Sequence, residues 1–514
     1  MDEQLQAQQY ERVLALLNDA PIAQLEYGHL APLLDILARI PDELLRASVE
    51  ACYRMAMLRL FTGDMNGVRK WQNALISHRE KLAEGSEERR LLENRIFCLG
   101  IASPQGQNAN FLMNLAILSH EYADAKFPLA KLSATRGFPS VLRGAKDLSA
   151  LGKHYRASAS IVQPLLASLL ESPKGVCEAA IAEILYEQND LNGATVETAN
   201  AINAEDPEII FAGFAVLARI GAVDATAKPP EEILDYLSSI IDSQQTGWLR
   251  PNFEALKIRF AILKGDNDAV RQWLESSDIN DLSVCIAHNY YRILTKAKAY
   301  LSLGEYRSAA TLLESLYAAL EDDYRPLDRI ECLTCSAIAF DALHSADHAM
   351  KKLEKALLQA QEFSYVRVIA DNGGAVYNLL AKYVADTNPP HEDLHMGFVH
   401  KVMQAAASFS ESWPNLYGIA AETASTAPQP AEEATPEPAA APDTAVPEVE
   451  LTQSELQILQ LLDKGLSNNK VSKQLHIEVS TVKFHASNIY RKLDVSSRVE
   501  ALNRARELGL ITRA

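Results

Sequence analysis

Four stretches of this chain, MLRLFTGDMNGVRKW, AEILYEQNDLNGATVE, RFAILKGDNDAVRQWL and AYLSLGEYRSAATLL, share one layout. A helix-spaced apolar run ends near Gly, Asn or another turn former, an acidic or polar residue follows, and a small residue opens the next run. From Gly265 to Gly304 is a step of 39 residues, and the same step again reaches Leu343, inside AFDALHSADHAMKKL, where the next run repeats its Ala and Leu positions. Helix pairs recurring in this way bury their apolar faces only against the neighbouring pair, which restricts the chain to an all-α stack. Ala194, Ala269, Ala309 and Ala349 are expected at the close helix contacts. An irregular helical domain is the alternative architecture, since amphipathic bundles also carry Ala-rich faces.

The step falls in the range of about 34 to 47 residues that marks tetratricopeptide and related solenoids. At 514 residues the chain also exceeds what one core supports. Residues 421–450, AETASTAPQPAEEATPEPAAAPDTAVPEVE, hold no aromatic residue and six prolines, too little apolar surface to offset ordering. They read as a disordered, semi-rigid Pro/Ala/Glu-rich linker. Three parts are therefore expected: a tetratricopeptide-like helical-repeat sensor or interaction domain over 1–420, the linker over 421–450, and a small four-helix domain over 451–514.

The net charge is −18, which argues against nucleic acid until it is divided along the chain. Residues 451–514 carry ten Lys/Arg and six Asp/Glu, whereas the remainder carries 39 Lys/Arg against 61 Asp/Glu. A small basic reader joined to a large acidic body is the implied arrangement.

Within 451–514, Thr452 with Glu455 forms a capping box, and Leu456, Leu459 and Leu462 form one apolar face up to Gly465. Ser467 caps a second helix with Val471 and Leu475 inward, and His476 to Val479 make the turn into a third helix over about 480–493. This is helix-turn-helix spacing. Ser497 and Glu500 start a fourth helix carrying Val499, Leu502 and Ala505. In the third helix Val482, Ala486, Ile489 and Leu493 make one buried stripe, so Ser480, Lys483, Phe484, Ser487 and Arg491 face outward. Hydrogen-bond donors, cations and one exposed aromatic suit a major groove, where Phe meets thymine methyl groups. Ser467, Asn468, Lys470, Arg491 and Lys492 are expected on phosphates, contributing affinity and orientation.

Other chemistries find little support. The six cysteines are scattered, with Cys332 and Cys335 an isolated CxxC in a helical run, so packing is expected rather than metal or redox chemistry. No nucleophile elbow, zinc motif or phosphate loop occurs, and neither a cofactor nor enzymatic activity is expected. His288, His344 and His348 are read as surface or core residues, and Tyr290, Tyr291, Tyr300 and Phe340 as repeat-packing core rather than a pocket lining. No apolar run reaches the roughly 20 residues of a membrane span, and MDEQLQAQQYERVL has no leader pattern, so a cytoplasmic chain without membrane contact is expected.

The strings LT..E, G.SN and TVK.H..NI..KL.V..R..A resemble the LuxR-type helix-turn-helix family over about 60 residues. The resemblance implies that Lys483, Phe484 and Ser487, with Ser480 at the same face, read bases, that Thr481 joins the phosphate contacts, and that the last helix dimerises. Departures stand at Glu478, where the family usually has Ser, at Gln453 and Ser454, where it has Pro-Arg, and at Asp494, where it has Gly. The helical body resembles the repeat arm of the large MalT-like regulators, with EFSYVRVIADNGGAVYNLLAKY (362–383) like the end of that region and FPSVLRGAKDLSAL (138–151) like its middle. Those regulators usually begin with an ATPase; this chain corresponds to arm and reader without that switch. The expected function is transcription regulation, with activation following the family's habit, on double-stranded promoter DNA. A small-molecule or protein effector on the repeat, RNA polymerase and a second copy of the chain are the further partners. The competing reading is an adaptor whose C-terminal domain contacts protein rather than DNA.

Overall fold

The computed structural model describes residues 33–102, 135–169 and 173–421, apart from 62–63, 136, 145–146, 244–245, 278, 280–288, 321–324 and 386–390. Isolated positions within 9–15 and 113–120, and residues 459, 461–463, 470–471, 489 and 504–506, are also described. The chain divides into two compact units, Met1–Ser425 and Thr426–Ala514. The described residues contain helices and no strand, apart from one isolated bridge between Arg143 and Asp147.

The first unit opens with α1 (Asp42–Ala47), α2 (Val49–Phe61), α3 (Met65–Arg79) and α4 (Glu87–Ala102). Leu37, Leu58, Trp71, Leu75 and Cys98 fill their shared core. After α5 (Tyr155–Leu169) come five helix pairs. These are α6 (Val176–Glu187) with α7 (Leu191–Ala201), α8 (Pro207–Val223) with α9 (Pro230–Ser243), α10 (Arg250–Lys264) with α11 (Asn267–Ser276), α12 (Tyr290–Ser302) with α13 (Tyr306–Ala319), and α14 (Pro326–Ala342) with α15 (Ala346–Phe363). A short α16 (Arg367–Ala370) leads to the last pair, α17 (Gly373–Ala385) and α18 (Met396–Ser412). This is the all-α, tetratricopeptide-like solenoid expected from the repeat.

The same turn recurs between the helices of four pairs. The first helix ends on a left-handed residue, Asn189, Gly265, Gly304 or His344, and the next residue caps the second helix. Asp190 and Asp266 accept the amide protons of Gly193 at 2.9 Å and Ala269 at 3.1 Å, satisfying an orphan donor of the first turn. Asp64 does the same for Gly67 in the pair α2 and α3. A Cβ on Gly304 would meet nothing within 4 Å, so its φ of 77°, and not space, favours glycine there. The second step of the repeat lands on His344, one residue beyond Leu343.

Four residues past each cap stand Ala194, Val270, Ala309 and Ala349, all fully buried where the second helix meets its neighbours. The reading of Ala269 as a close-contact residue is therefore corrected: it is half-buried, and Val270 holds the equivalent place. One continuous apolar core runs from Leu142 to Tyr417 through these pairs. The stretch before α5 enters that core in irregular conformation. Its buried backbone groups need partners, and side chains of the repeat supply them. The Thr135 amide donates to Glu208 at 3.3 Å, Asn252 donates to the Gly137 carbonyl at 3.0 Å, and Tyr365 donates to the Ser149 carbonyl at 2.6 Å.

Candidate functional site

The inward faces of the first helices carry charge where apolar residues would ordinarily stand. Glu183, Arg259 and Lys298 each lie six residues before a left-handed turn residue, so successive repeats direct them to the same interior. At the next inward position, thirteen before the turn, stand Asn252, Tyr291 and Glu331. Glu331, with a side chain 4% exposed, is the hub: Arg143 Nη2 lies at 2.5 Å, Arg259 Nη1 at 2.7 Å and Lys298 Nζ at 3.3 Å. Burial alone would raise this carboxyl, but Arg259, Arg143 and Lys298 hold it well below the usual glutamate range.

Asp328, on the same α14, accepts from Arg143 at 2.5 Å and from Arg325 Nε at 2.6 Å. Arg219 reaches Glu187 at 2.6 Å and Asp371 at 3.7 Å, and its guanidinium covers the Tyr186 ring at 4.1 Å. Arg259 covers Tyr291 at the same distance. Arg367 closes on Asp371 from behind. Two carboxyls serve the irregular stretch instead. Glu183 accepts the amide protons of Val141 at 2.7 Å and Leu142 at 3.1 Å and the Ser140 hydroxyl proton. Burial pushes it up from 4.5 to about 7, against the lowering by these hydrogen bonds. Asp147 accepts from the Ser149 amide and hydroxyl, and burial raises it to about 6.

Of these groups Arg143, Glu183, Arg219, Arg259, Lys298, Asp328, Glu331 and Asp371 line a cavity of about 120 Å³, bounded also by Ser140 of the irregular stretch, by further inward residues of α6, α8, α10 and α12, by Phe409 of α18, and by Leu416 and Tyr417. The expectation that Tyr290, Tyr291, Tyr300 and Phe340 are all packing residues needs one correction. Tyr290 is buried in the core and Tyr300 and Phe340 pack against it, whereas Tyr291 lines the cavity. Cys332 and Cys335 are buried in α14, Cys332 donates to the Leu313 carbonyl at 3.2 Å, and burial pushes both thiols up. His344 occupies a left-handed turn position and His348 is exposed; His288 lies outside the described residues. Sequence reading passed over the charged interior. The available signal was a charge repeated at one register of otherwise apolar helices.

In the second unit Leu459, Leu462, Val471, Ile489 and Ala505 are buried, each on the face that its spacing assigned to the interior. Arg506 pairs with Asp463 at 2.5 Å. Of the ten candidate DNA contacts only Lys470 is described, exposed in helical backbone beside buried Val471. Ser467, Asn468, Ser480, Thr481, Lys483, Phe484, Ser487, Arg491 and Lys492 lie outside the described residues, as does the linker beyond residue 421. Among the described residues no helix is long and apolar enough to cross a membrane.

Comparison with known proteins separates the same two parts. Residues 153–386 match the MalT-like TPR region, and residues 449–505 match the bacterial regulatory proteins of the luxR family. The segment 138–151, read as the middle of the repeat region, precedes the matched residues, while 362–383 lies at their end. The HTH-type transcriptional regulator MalT of Vibrio campbellii is 24% identical over 348 residues, 64% of this chain and 35% of that protein. MalT of Vibrio cholerae is 25% identical over 313 residues, 57% of this chain and 31% of that protein. The chain thus spans about a third of the length of these relatives. The transcriptional regulatory protein LiaR of Bacillus subtilis is 44% identical over 59 residues, 12% of this chain and 28% of that protein. Inward-facing helix pairs over one matched stretch, and apolar positions buried as a helix-turn-helix requires over the other, lead to one assignment: the chain joins a MalT-like TPR region to a C-terminal helix-turn-helix domain of the luxR family.

Proposed function

We propose that this chain is a DNA-binding transcriptional regulator in which residues 451–514 read a promoter, residues 1–420 receive a signal, and residues 421–450 tether the two. The match of residues 449–505 to luxR-family regulatory proteins carries the reading. The burial of Val471 and Ile489 supports it, because that phase leaves the opposite helix faces for DNA. In this reading Ser480, Lys483, Phe484 and Ser487 contact base edges, and Ser467, Asn468, Lys470, Thr481, Arg491 and Lys492 contact phosphates. The regulator activates, an effector bound by the repeat sets its activity, and a second copy and RNA polymerase are its partners at the promoter.

The test is fluorescence anisotropy of the full chain on duplexes selected from a library with a randomised core, with a salt titration and a Lys483→Glu variant. Affinity should fall steeply and linearly on logarithmic axes as salt rises, because each phosphate contact displaces a counterion. The variant should bind at least about fivefold more weakly, given the roughly 1–3 kcal/mol that a good base contact contributes. No selected sequence at low salt, or equal binding by the variant, would overturn the reading and favour a protein-contacting adaptor.

A further inference from the structure

After α18 the chain turns back onto the repeat before it reaches the tether. Trp413 Nε1 donates to the Ala222 carbonyl of α8 at 2.8 Å, and Asn378 of α17 donates to the Ala420 carbonyl at 3.0 Å. The backbone of residues 419–421 lies close over Gly374. A Cβ there would meet the Ala421 nitrogen at 2.5 Å and the Ile419 oxygen at 2.9 Å, so only glycine fits beneath it. Leu416 and Tyr417 are buried, and both line the cavity.

The returning segment is built around a tight turn. The Ile419 amide donates to the Leu416 carbonyl at 3.2 Å, and both central residues are left-handed, Tyr417 at φ 59° and Gly418 at φ 67°. A turn with two such residues ordinarily takes Asn-Gly. A tyrosine at its first central position is strained and persists only where the surroundings hold it. They hold it through the hydroxyl, which donates to Oδ1 of buried Asn372 at 3.0 Å. Lys298 Nζ donates to the same oxygen at 3.1 Å and pairs with Glu331 at 3.3 Å, while Asn372 Nδ2 donates to the Ile369 carbonyl at 3.0 Å. One buried chain of polar contacts therefore runs from the Glu331 hub through Lys298 and Asn372 to the strained turn.

We infer that this turn is a releasable latch that sets where the tether begins. Closed, with Tyr417 on Asn372, the tether starts at residue 421; open, the strain at Tyr417 is relieved and the tether starts at residue 413. The added segment lengthens the extended chain by up to about 26–29 Å, which changes the reach and effective concentration of what the tether carries. Because Tyr417 lines the cavity and shares Asn372 with Lys298, a rearrangement of the charged interior opens the latch. The inference rests on reading residues 421–450 as a tether. Opening is measured without DNA, so its failure leaves the DNA reading untouched, and failure of that reading leaves opening measurable.

The test is hydrogen exchange of the full chain, read by mass spectrometry of peptides covering 413–421. In wild type these amides should exchange more slowly than an unprotected chain and faster than those of α6 and α14. Tyr417→Phe keeps the ring and the backbone strain and removes only the hydroxyl. It should speed exchange over 413–421 about fivefold, as loss of one buried hydrogen bond implies, and leave α6 and α14 unchanged. Lys298→Met, on a different helix, should speed the same amides. Combined with Tyr417→Phe it should give less than the product of the two effects, since both act through Asn372. If Lys298→Met does not fold, Tyr417→Phe decides alone. Wild-type exchange at the unprotected rate or only together with α6 and α14, equal rates in Tyr417→Phe and wild type, acceleration matched in α6 and α14, or fully multiplying effects of the two substitutions would overturn the inference.

Discussion

Replacing Glu331 by Gln removes one charge and almost no volume, and it should be among the most damaging single changes in the repeat. The carboxylate is nearly inaccessible and faces Arg143, Arg259 and Lys298 within 2.5, 2.7 and 3.3 Å. Their neutralisation comes largely from this group, because Arg259 and Lys298 have no other ion pair among the described residues. Removing one partner of a buried pair costs about 3–5 kcal/mol, chiefly for the charge left behind. Two such cations and part of a third put Glu331→Gln at the upper end of that range. The control is Glu362→Gln, at a surface pair with Lys153 at 3.0 Å whose side chains are about half exposed. Such pairs contribute roughly 0–1 kcal/mol.

Urea unfolding followed by tryptophan fluorescence reports directly on the repeat, since Trp248, Trp273 and Trp413 pack against its core. The Glu331→Gln midpoint should fall well below that of wild type and of the control. Acid titration adds a second signature. A carboxyl whose folded pKa is depressed contributes stability above its unfolded value near 4.5 and loses it as pH falls through the folded value. Wild type should therefore lose more stability than the variant as pH falls below 4.5. A midpoint within about 1 kcal/mol of wild type, with an unchanged acid profile, would refute the reasoning, because it would show that water screens the cluster.

Glu183 should act in the opposite sense. Its folded value, raised from 4.5 to about 7 by burial, makes its contribution full below 4.5 and lost as pH rises through 7, so Glu183→Gln should flatten the decline in stability between those limits, measured by urea midpoints across pH. An unaltered pH profile would mean that the carboxyl is hydrated in the folded state. Asp266→Ala should lower stability by about 1 kcal/mol through loss of the Ala269 amide bond, with Asp266→Ser nearly neutral, in the same urea assay.

The repeat was legible because its determinants are local. A left-handed residue followed by a capping Asp, as in Asn189–Asp190 and Gly265–Asp266, marks a helix turn wherever it occurs, and the apolar spacing around it fixes which face is buried. The same logic identified Leu459, Leu462, Val471, Ile489 and Ala505 as interior residues of the second unit. Local pattern failed where a one-residue phase decided the outcome, at Ala269 and at His344.

The charged interior was set by tertiary structure. Arg143 is separated from Asp328 by 185 residues and from Glu331 by 188, and no spacing rule connects them. Helical periodicity determines which way a residue faces on its own helix. Whether an inward charge is satisfied, and whether the space it faces is filled or left as a cavity, depends on how the repeats coil and on where the irregular stretch from Thr135 to Ser149 threads between them. The sequence by itself therefore determined the helices, their caps and their buried stripes, while the solenoid's closure around Glu331 decided that its interior would be a charged cavity: close packing and ion pairing are properties of the assembled helices and not of any one of them.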